Sequence, residues 1–448
     1  MHQSAQRREF GVVIIALACA LMPFDALPIL PGMYRPLPVF LSLLAFLYVL
    51  YDFAIRRLFA SERATMWMLA FYLSAVPLSV LGGFLVGDFS GTIDFLTSFT
   101  LGFSFFLSCL YCFRRLPLAE EADFALAIAK LLLPLYCVSI GWGAIQALSM
   151  FVTSLRGVVG FLSTRLAEVP QFAVQWLSRE PAWGVINVLG FLPFLRHYVK
   201  KTGKLRILVP LTYVEILLSL SLSGIGTMIL IELVVWLSDT RNILRRILVV
   251  LGTMATVYLG VMVLLSSISG LRQIERFRTY VETRNIIDFL KYSSSETVRI
   301  GFPIAGIMEI VESPVVGVGG GNSRFYLARY LYALMPWATS MIEVTGYLDQ
   351  PSSFSTPRNL FARIVGEQGL FGVVLFGSFV MAIWKLRRRF VGVDARLFIR
   401  VFITTLLINL QFDSWALAPM WLGFAFLISW GSIRGQQAVH IDRRSVAA

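Results

Sequence analysis

The chain has 448 residues, 57% of them hydrophobic and only 15% charged, with a mean hydropathy of +0.75; soluble domains have about 45 to 50% apolar and about 25% charged residues, so a soluble globular enzyme is excluded. Lys and Arg number 39 against 26 Asp and Glu, a net charge of +13. No basic, base-stacking domain accompanies that charge, which speaks against a nucleic-acid partner; in a membrane protein such an excess belongs to cytoplasmic loops.

Apolar runs of about 20 residues recur along the chain, each long enough to cross a hydrocarbon core of roughly 30 Å as a helix. The fold class is therefore all-α, a polytopic membrane protein with about twelve transmembrane helices. In chain order they are expected near 10–30, 37–54, 65–86, 92–113, 125–151, 182–198, 205–221, 224–238, 246–267, 360–384, 396–411 and 415–431. The first resembles a signal-peptide core, but no small-residue cleavage site follows it and Pro28 to Pro38 leads straight into the next run, so it is expected to stay.

Sidedness follows from the cations. With Arg7 and Arg8 inside, alternate connections carry Arg56, Arg57 and Arg63; Arg114 and Arg115; Arg196, Lys200, Lys201, Lys204 and Arg206; Arg241, Arg245 and Arg246; Lys385, Arg387, Arg388, Arg389, Arg396 and Arg400; then Arg434, Arg443 and Arg444. More than half of all Lys and Arg thus fall on one face, in segments short enough for the positive-inside rule, and both termini are predicted cytoplasmic.

The opposite face receives two long connections. That near 152–181 sets Leu, Val, Phe and Trp between Arg156, Arg165 and Arg179, as in a helix lying on the membrane surface. The one from 268 to 359 is long enough for several helices and holds Arg272, Arg276, Arg278, Arg284, Lys291, Arg299, Arg324, Arg329 and Arg358. The chain so divides into 1–267, with nine spans and the smaller loop; 268–359, the large outer loop; and 360–448, with three spans and a cytoplasmic tail.

His2, His197 and His440 all fall on the predicted inner side, so an outer site has no imidazole. Cys19, Cys109, Cys112 and Cys137 lie within spans; Cys109 and Cys112 have C-x-x-C spacing but no second ligand pair, and small buried cysteines are common. No phosphate-binding P-loop, nucleophile elbow or Asp-x-Asp pair is present, and neither metal nor cofactor is expected. Arginine is what the outer face offers: it grips phosphate through two parallel bonds and stays charged, which suits a lipid-linked pyrophosphate. The competing reading is that single arginines pair with Glu275, Glu282, Asp288, Glu296 and Glu312 or meet headgroups. At Pro314-Val-Val-Gly317-Val-Gly319-Gly320-Gly321-Asn322 the glycines permit a tight backbone whose amides could approach a phosphate or sugar. Glu215, Glu232 and Glu367 lie within spans and should face the bundle interior or a wet cavity, most simply in hydrogen-bonded packing roles.

Arg299, then Pro314-x-x-Gly317-x-Gly319, then Asn359-Leu-Phe-Ala-Arg-Ile-Val-Gly-Glu367-Gln-Gly369-Leu-Phe-Gly372 form an order that resembles the O-antigen ligase and Wzy-type polysaccharide polymerase superfamily. Members of that superfamily place an Arg early in a large periplasmic loop, follow it with Pro and a Gly-x-Gly turn, and carry a His-Asn pair eight residues before Glu-x-Gly-x-x-Gly at the next helix; Asn359 and Glu367 have that spacing. The motifs cover residues 299–372. Two departures stand out: Arg358 occupies the place of the ligase histidine, and Ser221-Leu222-Ser223-Gly224 replaces a Ser-Arg found in many members. Both favour polymerase over ligase.

The resemblance implies a GT-C-like, inverting, metal-independent glycosyltransferase in the bacterial inner membrane. It would transfer a growing glycan from undecaprenyl pyrophosphate to the next lipid-linked oligosaccharide repeat at the periplasmic face, alongside a flippase and a chain-length regulator. Arg299 and Arg358 would steady the leaving pyrophosphate, with Arg324 and Arg329 next, and Asn359 would belong to the catalytic group; Gly317, Gly319 and Asn322 would contact substrate. Base candidates are Glu312, Glu343, Asp349 and Asp25, unranked. A ligase serving another acceptor is the alternative, and a lipid-linked sugar transporter a third reading, against which the large outer loop speaks.

Overall fold

A computed structural model describes residues 2–24, 37–56, 63–115, 123–163, 174–178, 180–238, 287, 290–291, 293–349 and 355–447. Among these residues the chain is helical throughout, without a strand. Helices α1 (His2–Ala20), α2 (Leu37–Arg56), α3 (Arg63–Val86), α4 (Ser90–Arg115) and α5 (Phe124–Phe151) fall on the first five expected spans. A short α6 (Thr153–Ser163) precedes α7 (Pro181–Thr202), α8 (Leu208–Leu218) and α9 (Leu222–Ser238). The large loop contributes α10 (Ser294–Met308), α11 (Leu327–Leu334) and α12 (Ile342–Leu348), and α13 (Leu360–Leu386), α14 (Gly392–Leu407) and α15 (Ala418–Ala447) follow. The ninth expected span, near 246–267, lies outside the described residues, as do Asp25, Arg272, Arg276, Arg278 and Arg284. Among the described residues four helices are long and apolar enough to cross a membrane: Arg63–Val86, Ser90–Arg115, Phe124–Phe151 and Leu360–Arg389.

Aromatic side chains build the core where α3, α4, α13 and α15 meet. Phe99 packs on Phe71 and Trp415 with ring centroids 5.6 and 4.4 Å away, and Phe379 meets Phe424 edge-on at 4.9 Å. Such offset and edge contacts add about 0.5 to 1.5 kcal/mol each beyond the area they bury. Helix ends follow local chemistry. Asp123 caps α5 by accepting the Leu126 amide at 3.0 Å, and α7 ends with Lys200 and Lys201 before Gly203, whose φ of 69° suits a left-handed cap.

Some of the cation-bearing helix ends that the charge rule assigns to one face lie together. Lys201 reaches Asp123 at 2.8 Å, Arg434 pairs with Asp394 at 2.5 Å, and Arg389 donates to the Gly431 carbonyl at 2.8 Å. Three hydrogen bonds, from Lys201, His197 and the Leu126 amide, hold Asp123 well below the usual carboxylate range against the opposing effect of burial. Within the bundle Cys109 faces Cys19, with sulfurs 3.6 Å apart, while Cys112 donates to the Val12 carbonyl.

The connection near 152–181 departs from a single surface helix. Helix α6 covers Thr153–Ser163, and residues 174–178 turn into the bundle. Trp176 is buried and donates its indole N–H to Glu215 at 2.6 Å, while Gln146 accepts the Gln175 and Trp176 amides. A buried carboxylate and amide needed partners, and this segment supplies them. Glu232 likewise finds Arg196, at 3.0 Å, and Tyr213, at 2.7 Å.

Candidate active site

Helix α13 is broken. Gly369 has φ 61° and ψ −162°, a conformation open essentially to glycine alone, and the break deprives the Gly366 and Glu367 carbonyls and the Leu370 and Phe371 amides of their helical partners. The Gly-rich loop replaces all of them. Val318 and Gly319 donate to the carbonyls of Gly366 and Glu367 at 3.0 and 2.9 Å, and the carbonyls of Pro314 and Val315 accept Leu370 and Phe371 at 2.9 Å each. Two lost helical bonds are thereby exchanged for four between segments. Gly317, at φ 70°, makes the approach possible: a Cβ there would stand 2.4 Å from the Glu367 carbonyl carbon.

The same loop is pressed against α3 and α4. The Gly320 amide donates to Ser79 Oγ at 3.0 Å, and the buried Asn322 side chain donates to the Val318 carbonyl. The amides expected to approach a phosphate are thus committed to protein acceptors. Gly317, Gly319 and Asn322 hold the loop on the bundle, a close-packing role rather than an open anion cradle.

Charged groups collect around this junction. Arg324, its side chain only 6% exposed, pairs with Asp94 at 2.7 Å and donates to Ser90 Oγ. On α13 Arg363 bonds Glu367, four residues on, at 2.8 Å and the Asp413 carbonyl at 3.0 Å. Glu309, fully buried just after α10, accepts Ser323 Oγ at 2.5 Å through one carboxyl oxygen, while the other has no protein partner. Burial pushes the Glu309 carboxyl well above its ordinary range; Ser323 and Arg363 pull the other way, and Glu367 adds to the rise. Burial thus favours the neutral form of the Glu309 carboxyl.

The remaining candidates lie on the outer layer of α10 to α12. Arg299 stands on α10 beside Glu296, 3.7 Å away, its side chain 43% exposed. Arg329 and Tyr330 both donate to Glu312, at 2.8 and 2.5 Å, and Glu343 accepts Ser294 Oγ across the α10–α12 contact. Arg358 directly precedes α13 with φ 56°, a left-handed conformation that costs a residue with a Cβ roughly 1 to 2 kcal/mol. Its guanidinium lies over the Tyr347 ring, 4.9 Å from the centroid, and its Nε has no protein partner. Asn359 is the cap of α13: its side-chain oxygen accepts the Phe361 and Ala362 amides and its amide donates to the Leu410 carbonyl.

Of the sequence candidates, Arg324, Gly317, Gly319 and Asn322 come together at the junction with Glu367, whereas Arg299, Glu312, Arg329, Glu343 and Arg358 are spread over the outer helices. Asp94, Glu309, Arg363 and Asp413 are junction residues that the sequence reading did not single out. An Arg four residues before an in-span Glu was the available signal for Arg363; Glu309 had none. Among the described residues no group of three or more His, Cys, Asp or Glu is placed to hold a metal ion. No protein-family model matches the chain, and no curated protein shows significant similarity to it.

Proposed function

We propose that the chain is a twelve-span, GT-C-like polysaccharide polymerase of the bacterial inner membrane, elongating glycans on undecaprenyl pyrophosphate at the periplasmic face. What supports this reading most is the junction itself. The two motif segments behind the family resemblance, Pro314 to Gly319 and Glu367-x-Gly369, are far apart in the sequence and are bonded strand-fashion, backbone to backbone, at the head of α13. A Gly-x-Gly turn and a broken Glu-x-Gly helix that need each other to satisfy their amides and carbonyls explain why both occur in one chain.

In the reaction, a hydroxyl of the incoming repeat attacks the anomeric carbon of the growing glycan from the face opposite the pyrophosphate. The bond from that carbon to the pyrophosphate oxygen breaks, the configuration inverts, and the hydroxyl proton passes to a carboxylate. Negative charge accumulates on the departing undecaprenyl pyrophosphate, and arginines facing the loop surface are suited to receive it. Arg358 is the leading group: it is held in a costly backbone conformation with unused donor capacity, and such strain collects at functional positions. Arg299 is its companion. Glu312, paired with Arg329, and Glu343, on the outer layer, are the base candidates.

The test is a reaction of the purified full chain, in liposomes, with one defined lipid-linked repeat. A ladder of lengthened glycans still attached to the lipid is the expected product. Single transfer to a different lipid acceptor would replace this reading by a ligase, and movement of the unaltered repeat across the bilayer would replace it by a transporter.

A further inference from the structure

Helix α10 is apolar on two sides. Val298, Phe302 and Ala305 belong to the small core of the outer helices, while Ile300, Ile304, Ile307 and Val311, spaced as one helix face, are exposed, from 37% at Ile300 to 68% at Val311. Every exposed position from 300 to 311 is Ile or Val. The one charged residue in that stretch, Glu309, is buried against Ser323 and Gly366. A helix on an aqueous surface turns polar residues outward; one that is apolar all round belongs in a protein interior or in lipid.

Two neighbouring helices show how deep the following loop lies. The Gly320 amide bonds Ser79, and Gly319 packs on Leu78 and Gly82, four to eight residues before α3 ends at Val86, or about 6 to 12 Å in from that end. On α13 the loop is bonded from Gly366 to Phe371, six to eleven residues after its start at Leu360, or about 9 to 16 Å in. Both helices are long and apolar enough to cross a membrane, and one leaflet of hydrocarbon is about 15 Å thick. The aliphatic stripe also continues onto α13. Val315 is exposed, its carbonyl accepts the Phe371 amide, and Leu370, Phe371 and Val374 are exposed beyond it. Irregular backbone is tolerated at such depth only where protein covers it and satisfies its polar groups. Residues 317–324 meet that condition: all are buried, and the amides of Val318, Gly319 and Gly320 are bonded to α13 and α3.

We propose that residues 300–315 form a re-entrant segment set into one leaflet of the bilayer, with Ile304, Ile307, Val311 and Val315 against the acyl chains and Arg299 at headgroup level. The 15 residues of α10 span only about 22 Å, too short to cross, so the chain enters, turns through the Gly-rich loop and leaves on the same side. A stretch that the charge pattern assigns to the large outer loop is thereby placed in lipid. The inference requires only that α3 and α13 cross the bilayer; the glycosyl-transfer reading could fail without touching it.

The experiment places a nitroxide on the full chain in phosphatidylcholine–phosphatidylglycerol liposomes, at Ile304→Cys, Ile307→Cys and Val311→Cys in turn, with the protein carrying only its native cysteines as the blank. Collisions with oxygen, which dissolves among acyl chains, are compared with collisions with a nickel chelate, which stays in water. Met381→Cys, at an exposed position within α13, gives the value for lipid, and Ala333→Cys, one turn from Arg329 on the exposed side of α11, gives the value for water. The oxygen-to-nickel ratio at all three positions should be several times that at Ala333→Cys and approach that at Met381→Cys. Nickel collisions as frequent as at Ala333→Cys would overturn the proposal. Protection from both reagents would also overturn it, replacing lipid by a second copy of the chain. A readout without substitutions uses the wild type in the same liposomes with a phospholipid that carries a diazirine in its acyl chain. Photolysis should attach lipid within 300–315 as well as on α3 and α13; adducts confined to α3 and α13 would contradict the insertion.

Discussion

Residues 314–325 and helices α10 to α12 belong to the same long connection, yet they are held in different ways. The Gly-rich segment, with four glycines and only Val318 among its apolar side chains in the buried core, is tied down by exchanging backbone hydrogen bonds with the broken α13 and by placing Arg324 among Asp94 and Ser90. Helices α10 to α12 do the reverse. Val298, Phe302, Ala305, Leu327, Leu331 and Val344 form a small separate core, and the charged side chains Arg299, Arg329 and Glu343 remain toward solvent. Buried charges and close backbone contacts leave little room for change, whereas exposed charges on an independent core are free to meet a ligand. The junction is therefore scaffold, and the proposed substrate chemistry is assigned to the outer layer together with Arg358.

Breaking the scaffold should have the largest effect on folding. Arg363→Ala leaves Glu367 buried without its cation, and removing one partner of a buried pair costs about 3 to 5 kcal/mol. Thermal unfolding in detergent should show a large destabilisation or no folded protein at all. A variant that melts like the wild type would mean that Glu367 has another partner.

Gly317→Ala should come next. Its Cβ would press on the Glu367 backbone at a positive φ, so a loss of more than about 2 kcal/mol is expected in the same melting assay. An unchanged melting temperature would contradict the docking of the loop on α13.

Glu309 gives a smaller effect that depends on pH. Its folded pKa is raised, so the folded state favours the neutral acid; the stabilisation is full below the unfolded value of about 4.3 and is lost as pH rises toward and through the folded value. Glu309→Gln, which has no proton to lose, should match the wild type at low pH and melt higher than it at alkaline pH. Equal pH profiles for the two proteins would show that Glu309 ionises freely.

The smallest effect is expected in the outer layer. Arg329, with a side chain 71% exposed, pairs with Glu312 at the surface, and Arg329→Ala should change stability by no more than about 0 to 1 kcal/mol. A change on the scale of Arg363→Ala would erase the distinction between scaffold and outer layer.

Much of the helix layout was legible because hydropathy is a local signal. Long apolar runs bounded by Arg and Lys predict α3, α4, α5 and α13 directly, and the grouping of cations at one end follows from the same pattern. What escaped was long-range. Trp176 lies in a loop whose apolar residues fit a membrane surface as well as a core, and only the unpaired Glu215 hinted at an inward turn. The Gly-rich loop read as an anion cradle because glycine amides are suitable for that; the demand that consumes them, a helix broken at Gly369, arises from a contact across about 50 residues that no local pattern encodes. Glu309 was passed over for Glu312 because burial of one acid in a pair of neighbours cannot be told from spacing.

The most direct test of the division between scaffold and substrate surface is Arg358→Ala, assayed for both turnover and melting in one preparation. Turnover on a defined lipid-linked repeat should fall roughly a hundred- to a thousandfold, the about 2.7 to 4 kcal/mol associated with losing one donor to developing negative charge, while the melting temperature stays close to that of the wild type. Arg358→Lys should recover only part of the rate, because a point charge replaces a two-pronged donor. Retention of more than about half of the wild-type turnover by Arg358→Ala would contradict the assignment, leaving Arg358 as a residue that only stacks on Tyr347.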